Sequence, residues 1–189
     1  MRYNLLVLST LIAYNLLPAM ATTIAWDGTH LACDSQMTSG HRKLMCKGKF
    51  KRSDARHATL AAGGNVDVID KIEEFWVKCD KPLAELKLPA ADPESPVSTF
   101  QLLIVQDDGV ALFYDSDLTS PVKMEAPFAF GSGGDFALAA LHMGASAADA
   151  VAVAEEIDIY CGGTIHVIRA PQKSLADKTG STQLDVHKG

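Results

Sequence analysis

Apolar and polar residues alternate in two pairs of short segments, each pair enclosing a turn, which is the pattern of antiparallel β-hairpins. The first pair lies within residues 22–34 and is joined through Asp27-Gly28, a dipeptide that favours a type I′ turn. The second pair lies within residues 99–114 and is joined through Asp107-Asp108-Gly109. Each pair is therefore predicted to form neighbouring strands of a sheet.

Helical spacing of apolar residues replaces this alternation in three other segments. A helix rich in alanine is predicted over residues 135–143, where Gly144 ends it. Ser146 is a suitable N-cap for the next helix, predicted from residue 147 to about residue 160. The first helix begins at Val66, and its apolar face is predicted to hold Val66, Ile69, Ile72, Phe75, Trp76 and Cys79.

The remaining segments are predicted to be connections or single strands. Residues 39–57 are mostly polar and are expected to be extended or looped, with Phe50 as the main apolar anchor. Residues 80–98 contain four prolines, which favours a connection over a regular element. Further strands are predicted over residues 58–62, 128–130 and 164–169.

These elements favour the α+β class, because the strands pair through hairpins rather than through crossovers. Helices that cover the sheet faces would then give a layered sandwich. A chain of 189 residues is long enough for one domain with a sizeable core. That domain is predicted over residues 22–170, after a leader (residues 1–21) and before a polar tail (residues 171–189).

Composition excludes some classes of partner and site. A net charge of −6 is not the basic surface that nucleic-acid binding requires, so no such partner is expected. The lysines and arginines of residues 42–52 are interpreted as a solvated face. No Cys/His spacing matches a zinc site, and neither a metal nor a cofactor is expected. The cysteines, which are interpreted as free thiols, are Cys33, Cys46, Cys79 and Cys161.

The leader resembles an export signal. Arg2 precedes an apolar run over residues 5–17, and Ala19-Met20-Ala21 matches an A-x-A cleavage pattern. The run is too short and too interrupted for a transmembrane helix, so stable membrane insertion is not expected. Three origins remain open: a signal peptide cut after Ala21, a self-removed pro-segment, or a true start at Met20. A cytoplasmic location is favoured, with export as the alternative.

Cleavage before Thr22 would convert an ordinary threonine into a reactive one. The new α-amine would have a pKa near 8, low enough to accept the proton of the neighbouring hydroxyl at neutral pH. Nucleophile and general base would then belong to one residue. Thr22 is therefore the candidate catalytic residue.

Several other segments contain groups that could assist such a threonine. Asp34 ends the strand antiparallel to that of Thr22 and could orient the amine or a lysine, although it could also be a simple turn residue. Among Lys47, Lys49 and Lys51, only Lys49 directly precedes an apolar anchor. A lysine near the hydroxyl would stabilise its developing negative charge. A nucleophilic Cys161 is the rival interpretation, but no histidine is placed by motif to activate it.

Together these segments resemble the proteasome β-subunit family, especially its bacterial and phage relatives akin to the HslV peptidase. The resemblance spans nearly all of residues 22–168, in family order. It rests on Thr22-Thr23-Ile24-Ala25, Ala32-Cys33-Asp34-Ser35-Gln36, Lys49-Phe50, Ala62-Gly63-Gly64, Phe130-Gly131-Ser132-Gly133-Gly134 and Asp158-Ile159-Tyr160-Cys161-Gly162-Gly163.

The resemblance implies a four-layer αββα Ntn-hydrolase sandwich and a threonine-type endopeptidase that cleaves polypeptides inside a homo-oligomeric ring. An ATP-dependent unfoldase is an implied partner. A non-catalytic scaffold and an exported amidohydrolase acting on small amides are the alternatives. The implied site consists of Thr22 as nucleophile, Asp34, Lys49, Ser132 and Asp158 as catalytic residues, Gly64 as oxyanion donor, and Thr23 and Cys161 in support. Cys161 stands where the family usually has serine.

Overall fold

The computed structural model describes residues 21–39, 42–88 and 100–170. The predicted leader up to Met20, the tail, residues 89–98 of the proline-rich connection and residue 99 of the second predicted hairpin lie outside these ranges. The helices are α1 (Val66–Lys78), α2 (Gly134–His142) and α3 (Ala147–Ile157), with a 3₁₀ turn at Leu83–Glu85. The strands are β1 (Thr23–Trp26), β2 (His30–Cys33), β3 (Gln36–Ser39), β4 (Arg42–Met45), β5 (Phe50–Ser53), β6 (Ala58–Gly64), β7 (Phe100–Gln106), β8 (Ala111–Asp115), β9 (Val122–Met124), β10 (Phe128–Gly131) and β11 (His166–Arg169).

The strands of the described ranges form two antiparallel sheets and a separate hairpin. The first sheet has the order β10-β1-β2-β11, and the second has the order β5-β6-β7-β8-β9. Within the described ranges, strands β3 and β4 pair only with each other. The mixed architecture of antiparallel sheets and helices agrees with the predicted α+β class.

Three apolar clusters hold these elements together, and alternation along β1 and β2 assigns residues to two of them. Ile24 and Leu31 belong to a cluster that includes Leu103 and Val105 of the second sheet. Ala25 and Ala32 belong to a cluster with the alanine-rich sides of α2 and α3. A third cluster joins the other face of the second sheet to α1 through Val68, Ile72 and Trp76.

Strand β1 lies in the interior of its sheet and therefore sets the position of Thr22. Thr23 is paired with Gly131 of β10 on one side, and its carbonyl accepts the amide N–H of Asp34 on the other, at 3.2 Å. Since Thr22 directly precedes β1, it lies between the end of β10 and the residues that follow β2. The sheet register thus brings residues 22, 34 and 131 to one edge.

The structure confirms both hairpins and all three helices, but several details differ from the predictions. The turn at Asp27-Gly28 is not of type I′, because Gly28 has a φ of +93° whereas Asp27 and Thr29 do not have positive φ angles. Of the two alternatives for residues 39–57, extended or looped, the structure favours the extended one, because β4 and β5 fall within this segment. The third helix ends at Ile157, since Asp158 adopts an extended conformation as its C-cap. The predicted apolar face of α1 is correct for Ile72 and Trp76, which are buried, and for Ile69 and Phe75, which pack against the same cluster. Val66 is 44% exposed and does not belong to it, whereas Val68 is buried. None of the helices in the described part of the chain combines the length and apolarity needed to cross a bilayer.

Candidate active site

Thr22 is buried at the end of the first sheet, directly before β1, with only 4% of its surface exposed. Its backbone N–H donates to Oγ of Ser132 at 3.3 Å, and this hydroxyl lies at the same distance from the carbonyl oxygen of Thr22. In the uncleaved chain that nitrogen belongs to the peptide bond with Ala21. Ser132 therefore lies where it could contact the amine that cleavage before Thr22 would create.

Two glycines make room for Thr22. A Cβ atom at Gly63 would lie 2.7 Å from Cγ2 of Thr22, closer than nonbonded carbon atoms approach. Gly131 has a φ of +95°, and a Cβ there would collide with the backbone carbonyl of Thr22. The glycines of β6 and β10 thus allow these two strands to enclose the threonine from different sides.

A buried ion pair lies beside Thr22. Nζ of Lys49 donates to Oδ1 of Asp34 at 2.6 Å, and the two side chains are 7% and 0% exposed. Three backbone N–H groups also donate to the Asp34 carboxylate, from Thr23 at 2.9 Å and from Gln36 and Gly162 at 3.2 Å. The carboxylate is therefore fixed by hydrogen bonds from three separate segments, as a buried charge requires.

The Lys49 ammonium reaches from this pair to the peptide bond before Thr22. It donates to the carbonyl oxygen of Gln36 at 3.0 Å and to that of Ala21 at 3.4 Å. The Thr22 hydroxyl also donates to the Ala21 carbonyl oxygen, at 2.5 Å. A positive charge thus lies within reach of an oxygen that also contacts the candidate nucleophile.

The structure distinguishes the three candidate lysines by their positions. Lys49 is buried on Asp34, whereas Lys47 and Lys51 are exposed. Nζ of Lys51 lies 3.3 Å from Oε2 of Glu73 on helix α1. Lys49 is the lysine that the fold brings to both Asp34 and the Thr22 segment.

A second polar network connects Cys161 to the Thr22 region. The Cys161 thiol donates to Oδ2 of Asp158 at 3.0 Å and also contacts the hydroxyls of Thr23 and Ser132. Burial and the hydrogen bond to Asp158 raise the pKa of the thiol to about 12. Cys161 is therefore a neutral hydrogen-bonding group at physiological pH, unlike the thiolate that a nucleophile would need.

Asp158 reaches the Thr22 region through Cys161. Its Oδ1 accepts the backbone N–H of Tyr160 at 3.0 Å, which holds the carboxylate at the end of α3.

Gly64, the predicted oxyanion donor, ends β6 and lines the same cavity as Thr22. All predicted site residues thus lie in one region, although Asp158 is linked to it indirectly.

A cavity of about 290 Å³ opens beside Thr22. Strand β3, the loop before β5, the end of β6 and the first turns of α1 form its walls. Thr22 and Lys49 line it together with apolar residues such as Met37 and Ile69. A nucleophile with a buried cation, adjacent to a cavity, is the arrangement expected for attack on a carbonyl carbon.

No metal-binding group of three or more His, Cys, Asp or Glu residues occurs in the part of the chain that the structure describes.

Sequence reasoning missed some contributors to this site. Gln36 and Gly162 act through backbone groups, which leave no side-chain signal. Gly63 was part of the Ala62-Gly63-Gly64 motif, yet its closeness to Thr22 depends on how the two sheets pack. Backbone N–H donors, and glycines that leave space for a neighbouring side chain, are recognised only when the structure shows which distant segments are in contact.

The comparison with solved structures identifies proteins that share this fold. The Thiobacillus denitrificans BPH, a bacterial proteasome homologue, superposes with a TM-score of 0.61 at 16% identity, covering 82% of this chain and 98% of that one. The same protein in complex with epoxomicin gives a TM-score of 0.60 at 15% identity, covering 81% and 98%. Eukaryotic HslV from Trypanosoma brucei gives 0.50 at 20% identity, covering 78% and 97%. The chain therefore has a proteasome/HslV-like fold, whereas neither the family models nor the curated proteins include a match.

Proposed function

We propose that the protein is a threonine-type endopeptidase whose nucleophile is Oγ of Thr22. The observation that carries the proposal is the position of Thr22, buried between Gly63 and Ser132, beside the Lys49–Asp34 pair and open to a cavity. The likeness of fold to HslV and to a BPH that was solved in complex with epoxomicin supports the same conclusion.

The proposed reaction is acyl transfer in two steps, once Thr22 has a free amine. The amine accepts the hydroxyl proton, and Oγ attacks the carbonyl carbon of a peptide bond. The protonated amine then gives its proton to the leaving amine, and the acyl group remains on Thr22 as an ester. Water, deprotonated by the same amine, hydrolyses the ester and restores the enzyme.

Each neighbouring residue has a proposed role in these steps. Lys49 stabilises negative charge developing on Oγ, and Asp34 holds the lysine in place. Ser132 orients the amine, and the backbone amide of Gly64 donates to the oxyanion. Thr23, Cys161 and Asp158 form the hydrogen-bonded support behind Ser132.

The proposed fold is the four-layer αββα arrangement of Ntn hydrolases. The three apolar clusters support it, because they join α2 and α3 to the first sheet, the first sheet to the second, and the second sheet to α1. Related proteins of the proteasome type assemble as rings, and a homo-oligomeric ring is proposed here too. An unfoldase partner and a cytoplasmic location belong to the same proposal.

Removal of the leader by self-processing is the route that the contacts favour. The Thr22 hydroxyl and the Lys49 ammonium both bind the carbonyl oxygen of Ala21. Attack of Oγ on the Ala21 carbonyl carbon would break the Ala21–Thr22 peptide bond and pass the hydroxyl proton to the Thr22 nitrogen, which leaves the leader on Oγ as an ester. Water would then hydrolyse that ester and release the leader. The lysine would stabilise the charge on the carbonyl oxygen during that step. A signal peptidase remains the route if the protein is exported.

The proposal is tested by purifying the protein expressed from the full chain and assaying hydrolysis of casein. N-terminal sequencing is expected to find Thr22 in active material. Replacing Thr22 with alanine should abolish hydrolysis, whereas Thr22→Ser should retain part of it and Thr119→Ala, in a distant exposed loop, should leave it unchanged. Casein hydrolysis by purified Thr22→Ala protein at the wild-type rate would refute the nucleophile. An assembled, inactive wild-type protein that still carries Ala21 would favour the non-catalytic scaffold.

A further inference from the structure

The wall of the Thr22 cavity that α1 provides contains a half-buried carboxylate. Glu73 follows Ile69 by one helical turn, and both residues line the cavity. The Glu73 side chain is only 16% exposed, whereas Asp70 is exposed at the same cavity. A substrate side chain that enters beside Thr22 would therefore meet apolar surface and a carboxylate that has little access to water.

The cation that now balances Glu73 is easily displaced. Nζ of Lys51 lies 3.3 Å from Oε2 of Glu73, but the Lys51 side chain is 46% exposed. Lysine has a long flexible side chain that keeps its ammonium in water at little cost. Glu73 has no comparable freedom, because it is short, lies on a helix and is mostly covered.

This difference in mobility gives the cavity a charge preference. A cationic side chain can replace the Lys51 ammonium on Glu73, and Lys51 can then extend into solvent. An anionic side chain could recruit Lys51 only by leaving Glu73 half-buried without a partner, beside Asp70. Leaving a covered charge unpaired is costly, so the two exchanges are not equivalent.

The two other lysines that line the cavity, Lys49 and Lys47, do not reverse this preference. Lys49 is neutralised by Asp34 at 2.6 Å and also donates to the carbonyl oxygen of Gln36 at 3.0 Å. Lys47 is exposed, so water screens its charge. Lys49, a buried charge, thus has a buried partner. Among the described lining residues, Glu73 is the mostly buried charged group whose partner, Lys51, is exposed.

We infer that Glu73 sets the substrate preference of the Thr22 site, favouring a lysine or arginine side chain on the residue whose carbonyl is attacked. This inference deepens the proposed peptidase activity and rests on it. Burial together with the nearby Asp70 raises the pKa of the Glu73 carboxyl, whereas Lys51 opposes that shift, in keeping with a carboxylate that lacks sufficient positive charge. A cationic substrate group would supply that charge.

The test uses three fluorogenic peptides that differ only in the residue before the cleaved bond: arginine, leucine or glutamate. The mature wild-type enzyme should give kcat/KM in the order arginine, leucine, glutamate. In Glu73→Gln, the ratio of kcat/KM for the arginine peptide over the leucine peptide should fall about tenfold. A ratio measured on one preparation is independent of how much of the variant is folded.

Asp67→Asn is the matched control, because it removes the same charge from the first turn of the same helix, outside the cavity lining. Its arginine-to-leucine ratio should equal that of the wild type. Cleavage of the leucine peptide with no preference for arginine, or an unchanged ratio in Glu73→Gln, would overturn the specificity inference and leave the peptidase proposal intact. Failure of the Thr22-processed wild type to cleave any of the three peptides would overturn both.

Discussion

Nζ of Lys49 lies 2.6 Å from Oδ1 of Asp34 in a region where both side chains are buried. Asp34 follows β2 and Lys49 precedes β5, so the pair fastens the first sheet to the second beside Thr22. Three backbone N–H groups complete the shell of the carboxylate, and two carbonyls accept from the ammonium. The pair therefore has a structural role in addition to its proposed catalytic one.

Losing one partner of this pair should destabilise the fold nearly as much as losing both. Lys49→Met and Asp34→Asn each leave one buried polar group without its main partner, at a cost of about 3–5 kcal/mol. The double variant removes both charges, so its loss should be well below the sum of the two. Urea unfolding in a Thr22→Ala background measures all three without interference from proteolysis. Strictly additive losses would contradict the coupling, and all three substitutions should abolish activity in an otherwise wild-type chain.

Gly63→Ala should impair catalysis by displacing the nucleophile. The new Cβ would lie 2.7 Å from Cγ2 of Thr22, so the threonine must move by a large fraction of an ångström. Misplacement of about 1 Å lowers turnover roughly a hundredfold. Steady-state kinetics with a peptide substrate measure the loss. Gly134→Ala, whose Cβ would meet its nearest neighbour at an ordinary 3.5 Å, should retain activity, and an unaffected Gly63→Ala enzyme would place Thr22 elsewhere.

The thiols of Cys33 and Cys161 should resist alkylation in the folded protein. Burial is the main cause that raises the pKa of each to about 12, so about one molecule in ten thousand carries the thiolate at pH 8. Cys46 and Cys79 are half-buried and should react first. Timed labelling with iodoacetamide followed by peptide mass mapping gives the order, and urea-unfolded protein provides the control in which all four react. Labelling of Cys161 ahead of Cys79 would contradict the buried network.

Asp27 should contribute pH-dependent stability. Burial alone would raise the pKa of its carboxyl, but N–H donors from Ala147, His30 and Thr29 outweigh it and lower the pKa. The contribution is therefore complete above the unfolded pKa near 3.9 and is lost as pH falls through the folded value.

Asp27→Asn should consequently lower the free energy of unfolding by about 0.3–1 kcal/mol at pH 7, the typical value of a negative charge near a helix N-terminus. The difference from wild type should shrink as pH falls below 4. Urea titrations between pH 7 and pH 2.5, in a Thr22→Ala background, measure this. A difference that stays constant over that range would show that the carboxylate charge has no part in fastening α3 to the β1–β2 turn.

The sequence pattern was sufficient to predict the elements that depend on contacts between residues close together in the chain. The Asp27-Gly28 turn, the alternation on either side of it and the Ser146 cap each act over a few residues, so sequence spacing predicted them. The position of Thr22 at the start of the first strand of a hairpin followed from the same reasoning, within one residue of the observed strand. So did the proposal that cleavage there would give the threonine its own base, because that chemistry lies within one residue.

Tertiary structure alone decided which distant groups meet. Lys47, Lys49 and Lys51 alternate along one segment, and only the packing of the two sheets buries Lys49 on Asp34 while Lys51 turns to Glu73. The same packing brings Gly63 against Thr22. Burial and charge pairing depend on contacts between segments far apart in the chain, and their energies are large enough to override local pattern. The sequence by itself thus determined the candidate nucleophile, whereas the fold determined the residues that surround it.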